Sequence, residues 1–277
     1  MTLDEIIDKS LSEDIGTGDH TTLACIPHDK QGKAKLLIKE NGILCGVNIA
    51  EKILKKVDAN LDVKILINDG EPIKKNDVAL TVEGSAASIV IAERTVLNFM
   101  QRMSGIATYT HIMVEQLHGL KTKILDTRKT TPNLRLIEKM AVVSGGGVNH
   151  RFGLYDMILI KDNHIDFAGS IALAISTVQK YLKEKNLDLK IEVEARNIEE
   201  VNDILAVGGI DRILLDNFSF DDLRKAVKLI DEKYETESSG NVTLENIRQH
   251  AECGVDYISV GALTHQIKSL DMSLKAF

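Results

Sequence analysis

The sequence predicts an α/β protein in two parts, an N-terminal α+β sandwich domain followed by a modified α/β barrel with parallel strands. Three features support this fold class. Short apolar runs surround one helical stretch over residues 33–82, six later apolar runs alternate with helical stretches, and charged side chains gather just after those later runs. Short apolar runs between helices are typical of buried parallel strands. Six strands, where a complete barrel has eight, indicate an incomplete or modified barrel.

The composition indicates an ordinary soluble globular protein that binds neither nucleic acid nor membranes. The chain has 277 residues, of which 44% are hydrophobic and 27% charged, and a formal net charge of -7. An acidic balance with 4% aromatic residues argues against nucleic-acid binding, which favours a basic face and aromatic stacking platforms. No basic-then-apolar leader opens the chain, and no apolar run approaches the ~20 residues of a membrane helix. We therefore expect a cytoplasmic protein, and its three cysteines are typical of reduced thiols.

The N-terminal part begins with an amphipathic helix, for which Thr2 and Glu5 form a capping box. Strands are then predicted at 34–39, 43–46, 63–67 and 78–83, with a helix at 48–57 among them and a longer helix at 86–103. These elements predict that residues 1–110 form the sandwich domain, joined by the C-terminal tail 266–277. Residues 111–265 are predicted to form the barrel.

The barrel is organised around residues 123–166, which predict a strand, a helix and a second strand. Thr131 is expected to cap the helix with Pro132 in its first position, and the glycines at 145–147 to end it. Later strands are predicted near residues 191, 213, 235 and 257, with helices at 170–182, 198–207, 221–230 and 244–253. Active sites of parallel barrels lie at the carboxyl ends of the strands. Side chains that follow each strand are therefore the candidates for a functional site.

Basic and imidazole side chains are concentrated within residues 128–164 of this acidic chain. They are Arg128, Lys129, Arg135, His150, Arg151, Lys161 and His164. A solvated surface mixes charges of both signs, so this concentration predicts an anion-binding cleft. Arginine suits bidentate recognition of carboxylate or phosphate, while lysine acts as a point charge. The predicted ligand carries several negative charges.

Carboxylates and small residues follow the later predicted strands. They are Glu192 and Glu194 on one strand, Asp216 at the end of the next, and Ser239, Gly240 and Gly261 after the last two. Carboxylates beside a cationic pocket suit Mg²⁺ that is also bound by substrate phosphate. Small residues let backbone N–H groups approach a phosphate, and a helix is predicted to begin near Thr243 beside them. Alone, Glu192 is equally well explained as a buried ion-pair partner and Gly261 as a turn.

Several long motifs resemble the quinolinate phosphoribosyltransferase family, the carboxylating nicotinate-nucleotide pyrophosphorylases. The core motifs are DTRKTTPNLR, GGGVNHRFGL and LIKDNHI, and the similarity extends to EDIGTGDHTT, ERTVLNFMQRMSGIAT, IEVEAR, LLDNF, ESSGNV and ISVGALTH. The resemblance implies an open variant of the α/β barrel. It also implies that quinolinate and 5-phosphoribosyl 1-pyrophosphate (PRPP) give nicotinate mononucleotide, pyrophosphate and carbon dioxide, in de novo NAD synthesis.

The resemblance further implies roles for individual residues. The quinolinate ligands would be Arg94, Arg128, His150, Arg151 and Lys161, with Lys129 shared with PRPP. Glu194 and Asp216 would contact the ribose and its Mg²⁺, partly through water. The phosphate would lie near Ser239, Gly240, Asn241, Gly261, Ala262 and Leu263. The catalytic set would be Lys129, Lys161, Glu194 and Asp216.

Three details qualify this assignment. Spacing alone favours a surface ion pair of Glu93 with Arg94. The resemblance implies instead that Arg94 reaches the substrate across a homodimer interface. The sequence leaves open whether the oligomer is a dimer or a hexamer. Asn241 replaces the more frequent second glycine of the family motif. His150 is expected to stay neutral, because we expect cations around it, and His164 to cap a loop.

Two alternatives remain open from the sequence. A branch associated with molybdenum transport shares the fold, although the unbroken RKTTP and KDNH segments argue against it. The chain could also be a non-catalytic barrel that binds a dicarboxylate or phosphate. Such a sensor would have no need of Glu194 and Asp216, so their presence favours an enzyme.

Overall fold

The structure, a computed structural model, describes residues 1–277. Its helices in chain order are α1 (Leu3–Ile15), α2 (His20–Cys25), α3 (Val47–Val57), α4 (Ala86–Glu115), α5 (Arg135–Ser144), α6 (Asp162–Ala168), α7 (Ile171–Lys185), α8 (Ile198–Val207), α9 (Phe220–Ile230), α10 (Ile247–Glu252) and α11 (Ala262–His265). Its strands are β1 (Gln31–Ile38), β2 (Gly42–Ile43), β3 (Asp62–Ile65), β4 (Pro72–Ile73), β5 (Val78–Ser85), β6 (Lys123–Leu125), β7 (Ile158–Ile160), β8 (Ile191–Ala195), β9 (Arg212–Asp216), β10 (Glu235–Ser239), β11 (Tyr257–Ser259) and β12 (Met272–Ala276). No helix combines the length and apolar character that crossing a bilayer requires.

The chain divides into two compact units that alternate along the sequence. The first unit comprises Met1–Ile112, Lys129–Gly147 and Ala262–Phe277, and the second comprises Met113–Arg128 and Val148–Gly261. The units therefore do not correspond one to one with the predicted ranges 1–110 and 111–265, which stay predictions about folding domains.

The first unit contains a four-stranded antiparallel sheet in the order β12-β1-β5-β3. Ala34, Leu36 and Ile38 of β1 are buried and alternate with less buried residues, as expected for a strand with one face on a core. The C-terminal strand β12 pairs with β1, with Leu274 opposite Leu36. The capping box of α1 is confirmed, because the Thr2 hydroxyl accepts from the Glu5 N–H and the Glu5 carboxylate accepts from the Thr2 N–H.

The second unit contains the six predicted parallel strands, in the order β6-β11-β10-β9-β8-β7. β6 and β7 are the two edges of this sheet, so the barrel is open between them. The strands are almost entirely buried, as Ile213, Leu214 and Leu215 of β9 show, which explains their continuous apolar runs. The predicted fold class, an α+β sandwich followed by an open, modified α/β barrel, is confirmed.

The predicted start of the helix at Thr131 is wrong, because α5 begins at Arg135. Asn133 has a φ of 67°, which is incompatible with a right-handed helix. The Thr131 hydroxyl accepts a hydrogen bond from Arg102, and the Thr131 N–H donates to Glu138. These longer-range bonds replace the capping role that the local sequence predicts. The predicted end at the three glycines is confirmed, since Gly145 follows the last helical residue.

Helix α4 is longer than predicted, with 30 residues to Glu115 instead of an end at Met103. The added turns include Gly105, whose lack of a side chain is a packing requirement. A Cβ atom built there would lie 2.3 Å from the Lys268 carbonyl oxygen. Gly105 thus permits a close approach of two chain segments within the first unit and does not end the helix.

The first unit also contains a buried ion pair whose loss should be measurable. Glu138 is completely buried, and its Oε1 accepts from Arg102 Nε at 3.0 Å and Nη2 at 2.5 Å. We expect Glu138→Gln to lower the free energy of unfolding by roughly 3 kcal/mol, because it leaves a cation without its buried partner. Urea unfolding measures this difference. The exposed Asp221–Arg224 pair provides the control, and Asp221→Asn should cost less than ~1 kcal/mol. Equal effects of the two variants would contradict a stabilising role of the buried pair.

Candidate active site

Most of the predicted site residues lie at the carboxyl edge of the six-stranded sheet in the second unit. Lys161 follows β7, Glu194 is in β8, Asp216 ends β9 and Ser239 ends β10. Asp216 and Ser239 are register partners on neighbouring strands. Because parallel strands present their carboxyl ends at one edge, the structure brings these residues from four separate strands to one place.

Glu194 and Asp216 form an acidic site with Lys161 beside it. The Lys161 ammonium nitrogen is 3.9 Å from the nearer Glu194 carboxylate oxygen. Burial raises the pKa of Glu194, Lys161 opposes this, and the neighbouring Asp216 raises the pKa further. The Asp216 carboxylate is oriented by hydrogen bonds from the Ser239 hydroxyl at 2.5 Å and the Asn217 amide at 2.6 Å. Two neighbouring carboxylates, one of them hard to ionise, provide the oxygen donors that suit a divalent cation.

The segment after β10 has a backbone conformation that only glycine adopts easily. Gly240 has a φ of 95°, and a Cβ atom there would lie 2.2 Å from the Asn217 amide oxygen. The Asn241 amide donates to the same Asn217 oxygen at 3.1 Å. Asn241 therefore stabilises the turn, although it replaces the second glycine of the family motif.

The predicted helix start near Thr243 is wrong, because α10 begins at Ile247 and has only six residues. The Asn246 side chain accepts from the Thr243 N–H at 2.7 Å and donates to the Asn241 carbonyl at 3.0 Å. These side-chain bonds stabilise a turn in place of the first predicted helical residues.

A buried polar cluster lies within the sheet of the second unit. The His150 Nε2 atom is 3.0 Å from a Glu192 carboxylate oxygen and 3.5 Å from a Glu237 carboxylate oxygen. Arg212 donates to that Glu237 oxygen at 2.9 Å. Both glutamates are completely buried, and the interpretation of Glu192 as a buried ion-pair partner is borne out.

The expectation of cations around His150 is wrong, because its ring faces the carboxylates of Glu192 and Glu237. Burial lowers the pKa of His150, but the contacts with Glu192 and Glu237 outweigh burial and raise the pKa to about 9. The Arg151 N–H points at Nδ1 from 2.7 Å and opposes protonation. The carboxylate contacts therefore favour a charged ring, whereas the Arg151 contact favours a neutral ring with its proton on Nε2.

Two arginines of the predicted quinolinate site are close enough to repel each other. Burial and the charge of Arg128 both lower the pKa of Arg151. The Arg151 guanidinium also donates to the Met157 carbonyl at 3.2 Å, which limits its orientations. Two neighbouring guanidinium groups provide a site for an anion with more than one charge. His164 does cap a turn, since its Nδ1 atom accepts from the Lys161 N–H at 2.9 Å.

Four predicted residues belong to the first unit, whereas Gly261 is the last residue of the second. Arg94 is exposed on α4 and Lys129 is exposed ahead of α5, whereas Ala262 and Leu263 lie in α11. The Leu263 side chain is completely buried, so only its main chain is available to a ligand.

The first unit also contains a cavity of about 450 Å³ beside Lys129. It is lined by Arg102, Lys129, Thr130, Thr131, Thr264, His265 and Ile267. The Thr264 hydroxyl donates to the Lys129 carbonyl at 2.7 Å, which fixes the main chain that carries this lysine. The sequence prediction missed Arg102, Thr264 and His265, although all three lie within the quoted motifs.

Comparison with known proteins assigns the chain to a family. The family model described as quinolinate phosphoribosyl transferase, N-terminal domain, matches residues 19–104, and the corresponding C-terminal domain matches residues 106–275. The chain belongs to the quinolinate phosphoribosyltransferase family. The two family models meet near residue 105.

Relatives of this quinolinate phosphoribosyltransferase family member cover almost all of its length. A Nicotiana glauca protein named quinolinate phosphoribosyltransferase (decarboxylating) 2, mitochondrial, is 48% identical over 99% of this chain and 82% of its own. A protein from Bacillus subtilis named probable nicotinate-nucleotide pyrophosphorylase (carboxylating) is 41% identical over 99% of this chain and 93% of its own. The crystal structure of NadC from Streptococcus pyogenes, 39% identical, superimposes with a TM-score of 0.94 over 99% of this chain and 95% of that chain. These names support the enzyme prediction over the molybdenum-transport branch and the non-catalytic barrel.

Proposed function

We infer that this chain transfers the phosphoribosyl group of PRPP to quinolinate with decarboxylation, giving nicotinate mononucleotide, pyrophosphate and carbon dioxide. This is the reaction of de novo NAD synthesis. The names of full-length relatives support the activity. The observation that carries the proposal is that basic and acidic side chains of this family member share one sheet edge, as Lys161 and Glu194 show.

Quinolinate is proposed to bind at the basic end of this edge. Arg128 and Arg151 repel each other, and a planar dicarboxylate would neutralise both guanidinium groups in bidentate geometry. Lys161 is nearly half exposed and would supply a further charge. These groups would hold the pyridine nitrogen towards the sugar and stabilise charge by their fixed positions, without a covalent nucleophile.

PRPP is proposed to bind at the acidic end. Glu194 and Asp216 suit the oxygen chemistry of Mg²⁺, which would neutralise diphosphate charge when bound. The Ser239–Asp216 hydrogen bond would keep the carboxylate in place for the ribose and its metal. The turn at Gly240 and Asn241 is the proposed phosphate site of the second unit, together with Gly261.

The reaction then follows from these positions. Pyrophosphate takes the electrons of the bond to the anomeric carbon as it leaves, and the pyridine nitrogen attacks that carbon. The nitrogen becomes cationic, so it can stabilise the electron pair that the adjacent ring carbon keeps as carbon dioxide departs. A proton from solvent then binds to that carbon and gives nicotinate mononucleotide. Each step changes charge near groups already in place, which favours the transition state over the ground state.

A direct assay tests the proposal. Purified protein is mixed with quinolinate, PRPP and Mg²⁺, and nicotinate mononucleotide and pyrophosphate are measured. Omission of each substrate in turn is the control. Product formation that requires all three components is the expected result, and the absence of both products would contradict the proposed function.

Arg94 is proposed to act in the active site of the partner subunit of a homodimer. A hexamer built from such dimers would contain the same shared sites. We expect Arg94→Ala and Lys161→Ala each to abolish activity when expressed alone. Co-expressed at equal levels with different tags, they should recover about a quarter of wild-type activity, because half of the dimers are mixed and each contains one intact site. A matched mixture of Lys161→Ala with Asp216→Asn should recover nothing, since both residues belong to one subunit's site. Absence of recovery in the first mixture would contradict a shared site.

A cytoplasmic location also stays a proposal. The Nicotiana glauca relative is named mitochondrial and an Arabidopsis thaliana relative, 47% identical, chloroplastic. Subcellular fractionation of the native organism would measure the location.

A further inference from the structure

The segment 129–131 of the first unit has no regular secondary structure, yet two of its side chains accept hydrogen bonds from arginines. Arg135 Nε donates to the Thr130 hydroxyl at 3.0 Å, and Arg102 Nη2 donates to the Thr131 hydroxyl at 2.7 Å. Irregular backbone lacks the repeated bonds of a helix or a strand, so contacts of this kind determine its conformation. The two arginines therefore fix one end of the segment.

The other end of the segment is held by Thr264 of α11. The Thr264 hydroxyl donates to the Lys129 carbonyl at 2.7 Å. Thr264 is only 1% exposed, so solvent has little access to this contact and does not readily replace a lost hydroxyl. The Thr264 carbonyl in turn accepts from Arg102 Nη2 at 3.5 Å. Arg102 thus contacts both the segment and the residue that holds its other end.

Thr264 and the segment line the same cavity of about 450 Å³. Lys129 lines it too, and lysine carries its charge on a flexible four-carbon stem. The position of the ammonium group in such a cavity therefore depends on a main chain that does not move. The Thr264 hydroxyl has one proton, which the Lys129 carbonyl already accepts, so Thr264 is suited to orient Lys129 and not to donate to a substrate phosphate.

We propose that Thr264 is a positioning residue for PRPP, whose hydroxyl holds the main chain of Lys129 and thereby places the Lys129 ammonium group. The inference rests on the proposed function and on the expected contact of Lys129 with PRPP. It assigns a role to a residue outside the predicted site.

Steady-state kinetics of Thr264→Val tests the proposal. Valine keeps the branched shape of threonine but lacks the hydroxyl, so kcat/KM for PRPP should fall about tenfold as the Lys129 main chain shifts. Thr264→Ser retains the hydroxyl and should stay within about twofold of wild type. Wild-type kinetics of Thr264→Val would overturn the proposal. An equal loss in Thr264→Ser would also overturn it, because the methyl group and not the hydroxyl would then be responsible.

Thr122 provides a matched control in the second unit. It is also buried, its hydroxyl donates to the Val255 carbonyl at 2.6 Å, and it lies directly before β6, away from the carboxyl edge of the sheet. Thermal unfolding should show a similar decrease in Tm for Thr122→Val and Thr264→Val, whereas only Thr264→Val should lose kcat/KM. Equal kinetic losses in both variants would indicate a merely structural role and overturn the proposal.

A double-variant cycle tests whether Thr264 acts through Lys129. Thr264→Val should cause no further loss of kcat/KM in a Lys129→Ala background, because the group that it positions is absent. Rates at high enzyme concentration measure the slow variants. A tenfold further loss in the double variant would overturn the proposal.

The same preparations separate the other outcomes. An inactive wild-type protein would count against the proposed function, whereas an active wild type with a normal Thr264→Val variant would count against the positioning role alone. Thr264→Ala removes the hydroxyl without placing a methyl group beside the Lys129 carbonyl. It should show the same loss if Thr264→Val does not fold, and wild-type kinetics of Thr264→Ala would then overturn the proposal.

Discussion

Replacement of Arg128 by alanine should lower kcat/KM for quinolinate by roughly 30- to 5000-fold and leave the fold intact. The factor corresponds to the loss of ~2–5 kcal/mol when one partner of a desolvated charge pair is removed. Arg128 is an exposed residue three positions after β6, so its truncation removes no core packing. Kinetic constants for both substrates, together with circular dichroism spectra and thermal unfolding, measure the two parts of this expectation.

Arg224 provides the matched control for Arg128. It is another partly exposed arginine of the second unit, and it pairs with Asp221 at the surface of α9, outside the quoted motifs. Arg224→Ala should have wild-type kinetics. Normal turnover of Arg128→Ala would remove Arg128 from the site, and an equal loss in Arg224→Ala would show that net charge alone accounts for the effect.

Replacement of Asp216 by asparagine is the second large change we expect, with a loss of about 100- to 1000-fold in kcat/KM for PRPP, the size seen when one preorganised electrostatic group is removed. The substitution keeps the size of the side chain but removes the charge beside Glu194. Because Asp216 is one of the two proposed Mg²⁺ ligands, the dependence of the rate on Mg²⁺ concentration should shift to higher concentrations. A Mg²⁺ titration at saturating quinolinate measures this shift.

Asp222 is the corresponding control for Asp216. Its carboxylate pairs with Lys225 on α9 and is exposed. Asp222→Asn should leave both the rate and the Mg²⁺ dependence unchanged. If Asp216→Asn kept the wild-type Mg²⁺ dependence, Asp216 would not be a ligand of the ion, whatever its effect on the rate.

The strands of the second unit were predictable because their burial is continuous. A run such as Ile213 to Leu215 is buried on both faces, so it contains no polar residue that would obscure the signal. Residues at the carboxyl ends were predictable for the same reason, since the end of each run marks the sheet edge. Lys161, Glu194 and Asp216 could therefore be placed together from sequence.

Local rules failed where a distant residue determined the conformation. Thr131 has the sequence features of a helix cap, but Arg102 and Glu138 take up its hydroxyl and its N–H. The long helix was predicted to end at residue 103, but it continues through Gly105, where the close passage of Lys268 makes glycine necessary. Arg102 is distant in sequence from Thr131, and Lys268 from Gly105, so no local pattern reports these contacts.

The buried cluster was not predictable for a different reason. Glu237 lies in the polar run ETESS, whose composition is typical of an exposed strand, although its middle residues are buried. The carboxylate is tolerated there because Arg212 comes from the neighbouring strand. The surroundings of His150 were not predictable either. Glu192 and Glu237 come from other strands and place carboxylates beside its ring, where cations were expected.

The pairing of β12 with β1 has a consequence for synthesis of the protein. During translation, the backbone groups along one side of β1 have no native partner until the last residues of the chain, which include Ala276 opposite Ala34, have been made. An unpaired strand edge readily joins other chains. Premature termination shortly before residue 272 should therefore yield a product that contains every proposed ligand but associates through this edge.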